Sequence, residues 1–142
     1  LVRKILKDNN IGLNEEFNGS TVGKTLLTPT KIYVKEVLKV LEEVKVAGIA
    51  HITGGGFHEN LPRALKNGLG MKIDKSSYKV PEIFKYLKEK GKIDEEEMYH
   101  IFNMGVGMAL IVNKEDVDKT LSLIDNAFVL GEVTEESGIE IV

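Results

Sequence analysis

The sequence contains no cysteine and no tryptophan, and its hydrophobic runs are short. Without cysteine there are no disulfides, thiolate metal ligands or cysteine nucleophiles, and the composition fits a reducing compartment. No apolar run approaches the ~20 residues of a membrane span, and the N-terminus has no signal-peptide pattern. We therefore expect a cytoplasmic protein with no membrane partner.

The chain also lacks an excess of positive charge. Its 19 basic and 22 acidic residues are interleaved and give a net charge of −3, which argues against a nucleic-acid partner. The three histidines form no helical pair, so we predict no metal site. No serine lies in a nucleophile elbow, and no pair of carboxylates marks a catalytic centre.

The length of 142 residues fits a single domain spanning 1–142. The order of predicted helices and strands indicates an α+β fold with a mixed sheet of about four or more strands covered by helices. A helix from Lys31 to about Val44 has an apolar stripe that we expect to face the core. Val106 to Val112 reads as a strand buried on both faces, and the last two strands read as a hairpin.

Three consecutive glycines, Gly54 to Gly56, form the most informative stretch. They follow an apolar strand and precede a polar turn, after which Pro62 fits the first turn of a helix. A strand, a glycine turn and a helix in that order point free N–H groups at an anion. The alternative is a tight turn that lets the helix pack closely on its neighbour. His51 and Arg63 on either side favour a phosphate or carboxylate.

A second glycine-containing segment, Gly19 to Thr25, imitates a phosphate-binding P-loop. Only three residues separate Gly19 from Gly23, whereas the P-loop pattern has four before its Gly-Lys pair. The preceding residues are polar rather than a hydrophobic strand. We predict a surface turn that leads into a short helix around Leu26.

The N-terminus begins without methionine and directly in apolar helical spacing, with no capping residue before Leu1. We expect the chain to be the C-terminal part of a longer protein.

Three phrases, "LLTPTKIYVK", "GIAHITGGGFHENLPR" and "MYHIFNMGVGMALIV", closely resemble the C-terminal domain of the phosphoribosylformylglycinamidine cyclo-ligase (aminoimidazole ribonucleotide synthetase) family. The resemblance runs in order from Leu1 to near Glu132. It implies an ATP-dependent ring closure in purine biosynthesis, in which ATP activates a formyl oxygen and a substrate nitrogen attacks the activated carbon. It also implies a nucleotide substrate, an N-terminal domain that holds most of the ATP and Mg²⁺ ligands, and a homodimeric full-length enzyme.

The same resemblance implies which residues form the site. His51 would be catalytic, and the other residues would bind substrate or phosphate in two walls of a cleft. Those residues are Thr53, Gly54, Gly55, Gly56, Asn60 and Arg63 in one wall, and Asn103, Met104 and Gly105 in the other.

Three other functions stay open at this point. The chain could belong to a related ATP-dependent synthetase or kinase, it could be a stand-alone module that binds an anion without chemistry, or it could be a purely structural interaction domain. A glycine turn is compatible with each of them.

Overall fold

The computed structural model describes every residue from Leu1 to Val142, and its architecture is α+β, as predicted. The α-helices are α1 (Val2–Asp8), α2 (Val22–Leu26), α3 (Val34–Glu43), α4 (Gly56–Asn60), α5 (Glu82–Gly91), α6 (Glu95–Ile101) and α7 (Val117–Leu123). Two 3₁₀ turns cover Pro62–Ala64 and Lys114–Asp116. The strands are β1 (Glu16–Phe17), β2 (Ser20–Thr21), β3 (Val46–His51), β4 (Gly70–Ile73), β5 (Met108–Val112), β6 (Gly131–Thr134) and β7 (Gly138–Ile141). None of the helices is both long and apolar enough to cross a membrane.

The strands are divided among three small sheets. β1 pairs with β2, and β3 pairs with β5, both in antiparallel fashion. The third sheet is mixed, since its central strand β4 is antiparallel to β6 and parallel to β7.

The predicted C-terminal hairpin is wrong, because β4 lies between β6 and β7. The connection between these two strands crosses Gly70 at the start of β4. A Cβ at Gly70 would overlap the carbonyl oxygens of Glu136 and Gly138. This crossing joins sequence-distant segments, which local pattern does not reveal.

The hydrophobic core lies around the segments that follow β3. Phe57, Leu61 and Met98 are fully buried, and Ile52 and Leu87 are nearly so. Each such side chain contributes roughly 1.5–3 kcal/mol through removal of apolar surface from water. The core therefore fixes α4 and α6 against each other beside the end of β3.

Three further expectations need correction. The helix after the glycines begins at Gly56, and Pro62 opens only a 3₁₀ turn, because helical hydrogen bonds already start where the Glu59 N–H donates to the Gly55 carbonyl. β5 begins at Met108 and is partly exposed along its length, since a two-stranded ladder leaves it at an edge. Only part of the apolar surface of α3 is buried. Val40 and Val44 are buried, whereas Val34, Leu38 and Leu41 are exposed.

Candidate functional site

Two loops meet at one end of the β3–β5 ladder. His51, the last residue of β3, is paired with Met108, the first residue of β5. Immediately beyond, the Ile52 N–H donates to the Gly107 carbonyl at 2.8 Å. The glycine turn after β3 and the Asn103–Gly105 segment before β5 therefore lie side by side. These are the two segments that the family resemblance assigned to opposite walls of a cleft.

The third glycine of the turn has a packing role. Gly56 has φ +55°, and its N–H donates to the Thr53 carbonyl at 3.1 Å. A Cβ there would overlap the Tyr99 carbonyl oxygen and would lie 2.8 Å from the Phe102 carbonyl oxygen. Gly56 thus permits α4 to pack directly on the backbone of α6. The close-packing alternative accounts for this one glycine.

The other two glycines differ from each other. Gly55 has φ +90°, a left-handed conformation that favours glycine, and a Cβ there would also meet the Glu59 side chain. Gly54 has no left-handed φ, and a Cβ on it would have no neighbour within 4 Å. Neither conformation nor packing within the chain requires glycine at position 54.

The carbonyl groups of the turn are occupied. Asn60, which is only 5% exposed, donates its side-chain N–H groups to the carbonyls of Gly54 at 3.2 Å and Gly56 at 2.8 Å. The Gly55 carbonyl accepts from the Glu59 N–H at 3.1 Å. With the Thr53 carbonyl paired to Gly56, every carbonyl from Thr53 to Gly56 has a partner inside the chain.

Apart from that of Gly56, the N–H groups of the same turn are not occupied. Those of Gly54, Gly55 and Phe57 have no acceptor within the chain. The turn therefore presents donors without presenting acceptors, which is the polarity that an anion requires. Since α4 has only five residues, the local N–H groups contribute more to this polarity than the helix dipole does.

The side chains predicted around the turn have different surroundings. His51 and Thr53 are exposed. The ring of His51 lies 6.3 Å from the ring of Tyr33, which precedes α3. Arg63 is exposed and faces Glu59 at 3.9 Å, so its guanidinium is held near the turn by a weak surface pair.

The Asn103–Gly105 segment has two internal hydrogen bonds, but the N–H groups of Asn103 and Met104 have no acceptor within the chain. The Gly105 N–H donates to Asn103 Oδ1 at 3.0 Å, and the Val106 N–H donates to the Asn103 carbonyl. Met104 has φ +52° and its side chain belongs to the core. Gly105 has φ +99°, and a Cβ there would lie 2.5 Å from Pro81 Cδ.

One feature near the site was not predicted from the sequence. The rings of His58 and His100 are stacked, with centroids 3.7 Å apart and an interplanar angle of 12°. Burial lowers the pKa of His58, and the neighbouring His100 lowers this pKa further, while Glu96 raises it. His58 Nε2 is buried without a partner. The residues are 42 positions apart on different helices, so no local pattern signals the pair.

The described chain brings together no group of three or more His, Asp or Glu side chains that could hold a metal ion.

The P-loop-like segment lies in a different part of the fold. Asn18 and Gly19, with φ +48° and +75°, form a two-residue turn between β1 and β2. Thr21 then caps α2 by accepting from the Lys24 N–H at 3.2 Å. The prediction of a surface turn and a short helix is confirmed, and the Asn-Gly dipeptide is the hairpin signal that our sequence analysis missed.

Comparison with known proteins gives consistent results. The model of the family described as "AIR synthase related protein, C-terminal domain" matches residues 1–142. A phosphoribosylformylglycinamidine cyclo-ligase of Oceanobacillus iheyensis is 48% identical over 145 residues, covering 98% of this chain and 42% of that protein. Proteins of the same name from Caldicellulosiruptor bescii and Clostridium perfringens are 50% identical over 148 residues and 51% identical over 136 residues. They cover 98% and 92% of this chain, and 43% and 39% of their own lengths. The chain thus spans about two fifths of the length of the curated relatives it matches.

A solved structure supports the fold. The crystal structure of E. coli HypE, a hydrogenase maturation protein, matches 78% of this chain and 36% of its own, with a TM-score of 0.60. The sequence identity is 18%, so this likeness concerns the fold alone.

Proposed function

Since the chain belongs to the family of C-terminal domains of AIR synthase related proteins, we propose that it is the C-terminal, substrate-binding part of an ATP-dependent cyclo-ligase. The complete enzyme would close the imidazole ring of aminoimidazole ribonucleotide from formylglycinamidine ribonucleotide, in the purine biosynthesis pathway of the cytoplasm. The names of the curated relatives support this reaction.

One observation in the chain itself carries the proposal. Position 54 is a glycine although neither its backbone conformation nor its neighbours in the chain require one. The N–H groups of Gly54 and Gly55 have no acceptor within the chain. A phosphate oxygen that approaches these N–H groups would occupy the space that a Cβ at position 54 would take. Phosphate fits this site because its oxygens accept several hydrogen bonds at once.

The side chains at the rim would complete the site. Thr53 would offer its hydroxyl to the same phosphate, and Arg63 would add positive charge from its place beside Glu59. His51 stands at the end of β3, where it would contact the reacting part of the substrate and hold or donate a proton. Asn103, Met104 and Gly105 would form the facing wall.

ATP and Mg²⁺ fit this chain only in part. The free N–H groups suit a phosphate of the nucleotide substrate or of ATP, but no group of carboxylates in the chain suits Mg²⁺. ATP would supply the phosphoryl group that activates the formyl oxygen. We assign the metal ligands, and most ATP contacts, to an N-terminal domain of the complete polypeptide, which would also form the homodimer. The chain's own contribution would be to hold and orient the substrate.

The test compares the complete polypeptide with residues 1–142 alone. Each is incubated with formylglycinamidine ribonucleotide, ATP and Mg²⁺, and aminoimidazole ribonucleotide is measured by chromatography, with ATP omitted as a control. We expect product from the complete polypeptide and none from residues 1–142. Co-expression of the remaining part with residues 1–142 should restore turnover. A complete polypeptide without activity would refute the proposed reaction, and product formed by residues 1–142 alone would refute the division between the domains.

A further inference from the structure

Helix α3 has a wider apolar surface than this chain covers. Val40 and Val44 pack inward, whereas Val34, Leu38 and Leu41 are 60%, 54% and 45% exposed. These three residues are spaced i, i+4 and i+7, so they form one stripe along the helix. We call Val34, Leu38 and Leu41 the outer stripe of α3.

The segment before α3 continues this apolar character. Leu27 and Ile32 are each 81% exposed, although both are large aliphatic residues. Single exposed apolar residues need no explanation, but five of them between positions 27 and 41 indicate a surface that another protein domain or chain covers.

The position of α3 relates this surface to the candidate site. Tyr33, directly before the helix, packs its ring 6.3 Å from the His51 ring. A Cβ at Gly107 would overlap the Tyr33 hydroxyl, so Tyr33 also lies against the loop between the Asn103–Gly105 segment and β5. A protein domain that binds the outer stripe would therefore lie next to the open end of the β3–β5 ladder.

The size of the stripe argues against a separate partner. A ten-residue helix is ~15 Å long, and with a width of ~10 Å it offers roughly 150 Å². A stable complex between separate chains needs about 800 Å² from each partner. A domain on the same polypeptide needs far less contact, because its effective concentration is on the order of millimolar. The curated relatives have more than half of their length outside the matched region, which supplies such a domain.

We propose that the outer stripe of α3 is the surface on which the N-terminal part of the complete polypeptide docks, so that this part closes the candidate site beside His51. The inference rests on the proposed function for the existence of that part. It goes further by naming the contact surface within this chain.

Thiol labelling in the complete polypeptide tests this inference. The chain has no cysteine, so Leu38→Cys places one thiol on the outer stripe, and Lys35→Cys places a matched thiol on the charged side of the same helix. The rate of alkylation at each position is read by peptide mass spectrometry in the native and the urea-unfolded protein. Leu41→Cys repeats the measurement one turn further on, in case Leu38→Cys does not fold.

We expect the native state to slow alkylation at position 38 by tenfold or more, and at position 35 by less than threefold. Equal rates at both positions would overturn the proposal. Protection at position 38 that vanishes on dilution would also overturn it, because a second copy would then be the cover. Labelling does not depend on turnover, so a protected but inactive protein would refute the proposed reaction and leave this inference standing.

Discussion

The two loops at the end of the β3–β5 ladder differ in how their carbonyl groups are paired. In the glycine turn, Asn60 donates to two carbonyls, and the N–H groups of Gly54 and Gly55 remain free. In the facing segment, Asn103 accepts from the Gly105 N–H. The N–H groups of Asn103 and Met104 and the carbonyls of Met104 and Gly105 have no partner within the chain, so only the glycine turn presents donors without acceptors. This difference supports the proposed anion site in the glycine turn rather than in the facing segment.

The glycines of the turn can be ranked by what an added methyl group would do. Gly56→Ala should have the largest effect, because alanine would need a left-handed φ and would also overlap backbone oxygens of α6. The first effect costs about 1–2 kcal/mol and the second about 1–3 kcal/mol. We expect urea unfolding to show a loss of roughly 3 kcal/mol or more. A loss below about 1 kcal/mol would mean that Gly56 does not serve close packing.

The two asparagines provide the next test. Asn60→Ala removes the side-chain donor for two carbonyls of the turn, in one buried and one partly buried hydrogen bond, which should destabilise the protein by about 1–3 kcal/mol. Asn103→Ala is the matched control, since its hydrogen bond is exposed, and it should lose less than about 1 kcal/mol. Equal losses in chemical unfolding would remove the contrast between the two loops.

The sequence signalled the two segments that lie at the end of the ladder, but not the structural roles of their residues. The glycine triplet and the Asn103–Gly105 segment were recognisable as phrases, and the ladder places them together. The role of Asn60 was not visible, because a buried support and a ligand contact have the same sequence signal. The three glycines were read as one unit, although the structure gives Gly56 a packing role, Gly55 a conformational role and Gly54 neither.

The fold shows the same division between local and long-range information. Local sequence patterns placed the helix around Leu26 and the helix from Lys31 to Val44 within a few residues of α2 and α3. The insertion of β4 between β6 and β7 depends on pairing between residues about 58 to 68 positions apart, which no local pattern encodes. The stripe of α3 was predicted as core because spacing shows that a surface is apolar, but does not show what covers it.

A smaller effect is expected from the stacked histidines that join α4 to α6. The folded pKa of His58 is lowered, mainly by burial, so the unfolded state binds the proton more readily. The stability that the neutral form provides is present above the unfolded pKa of ~6.5 and is lost as the pH falls through 6.5 towards the lower folded value. The urea midpoint of the wild type should therefore drop between pH 8 and pH 5 by more than that of His58→Phe, which keeps a ring but cannot titrate. Identical pH dependence of the two proteins would show that the stack carries no such linkage.

The most direct measurement of the central claim is substrate affinity and stability of Gly54→Ala in the complete polypeptide. The methyl group has open space and an allowed backbone, so stability should stay the same or rise by about 0.4–1 kcal/mol. If the free N–H groups hold a phosphate, calorimetry should show the affinity for formylglycinamidine ribonucleotide or for ATP falling tenfold or more, which is about 1.4 kcal/mol. Normal affinity for both ligands at full stability would contradict the account, because the bare backbone at position 54 would then serve no ligand.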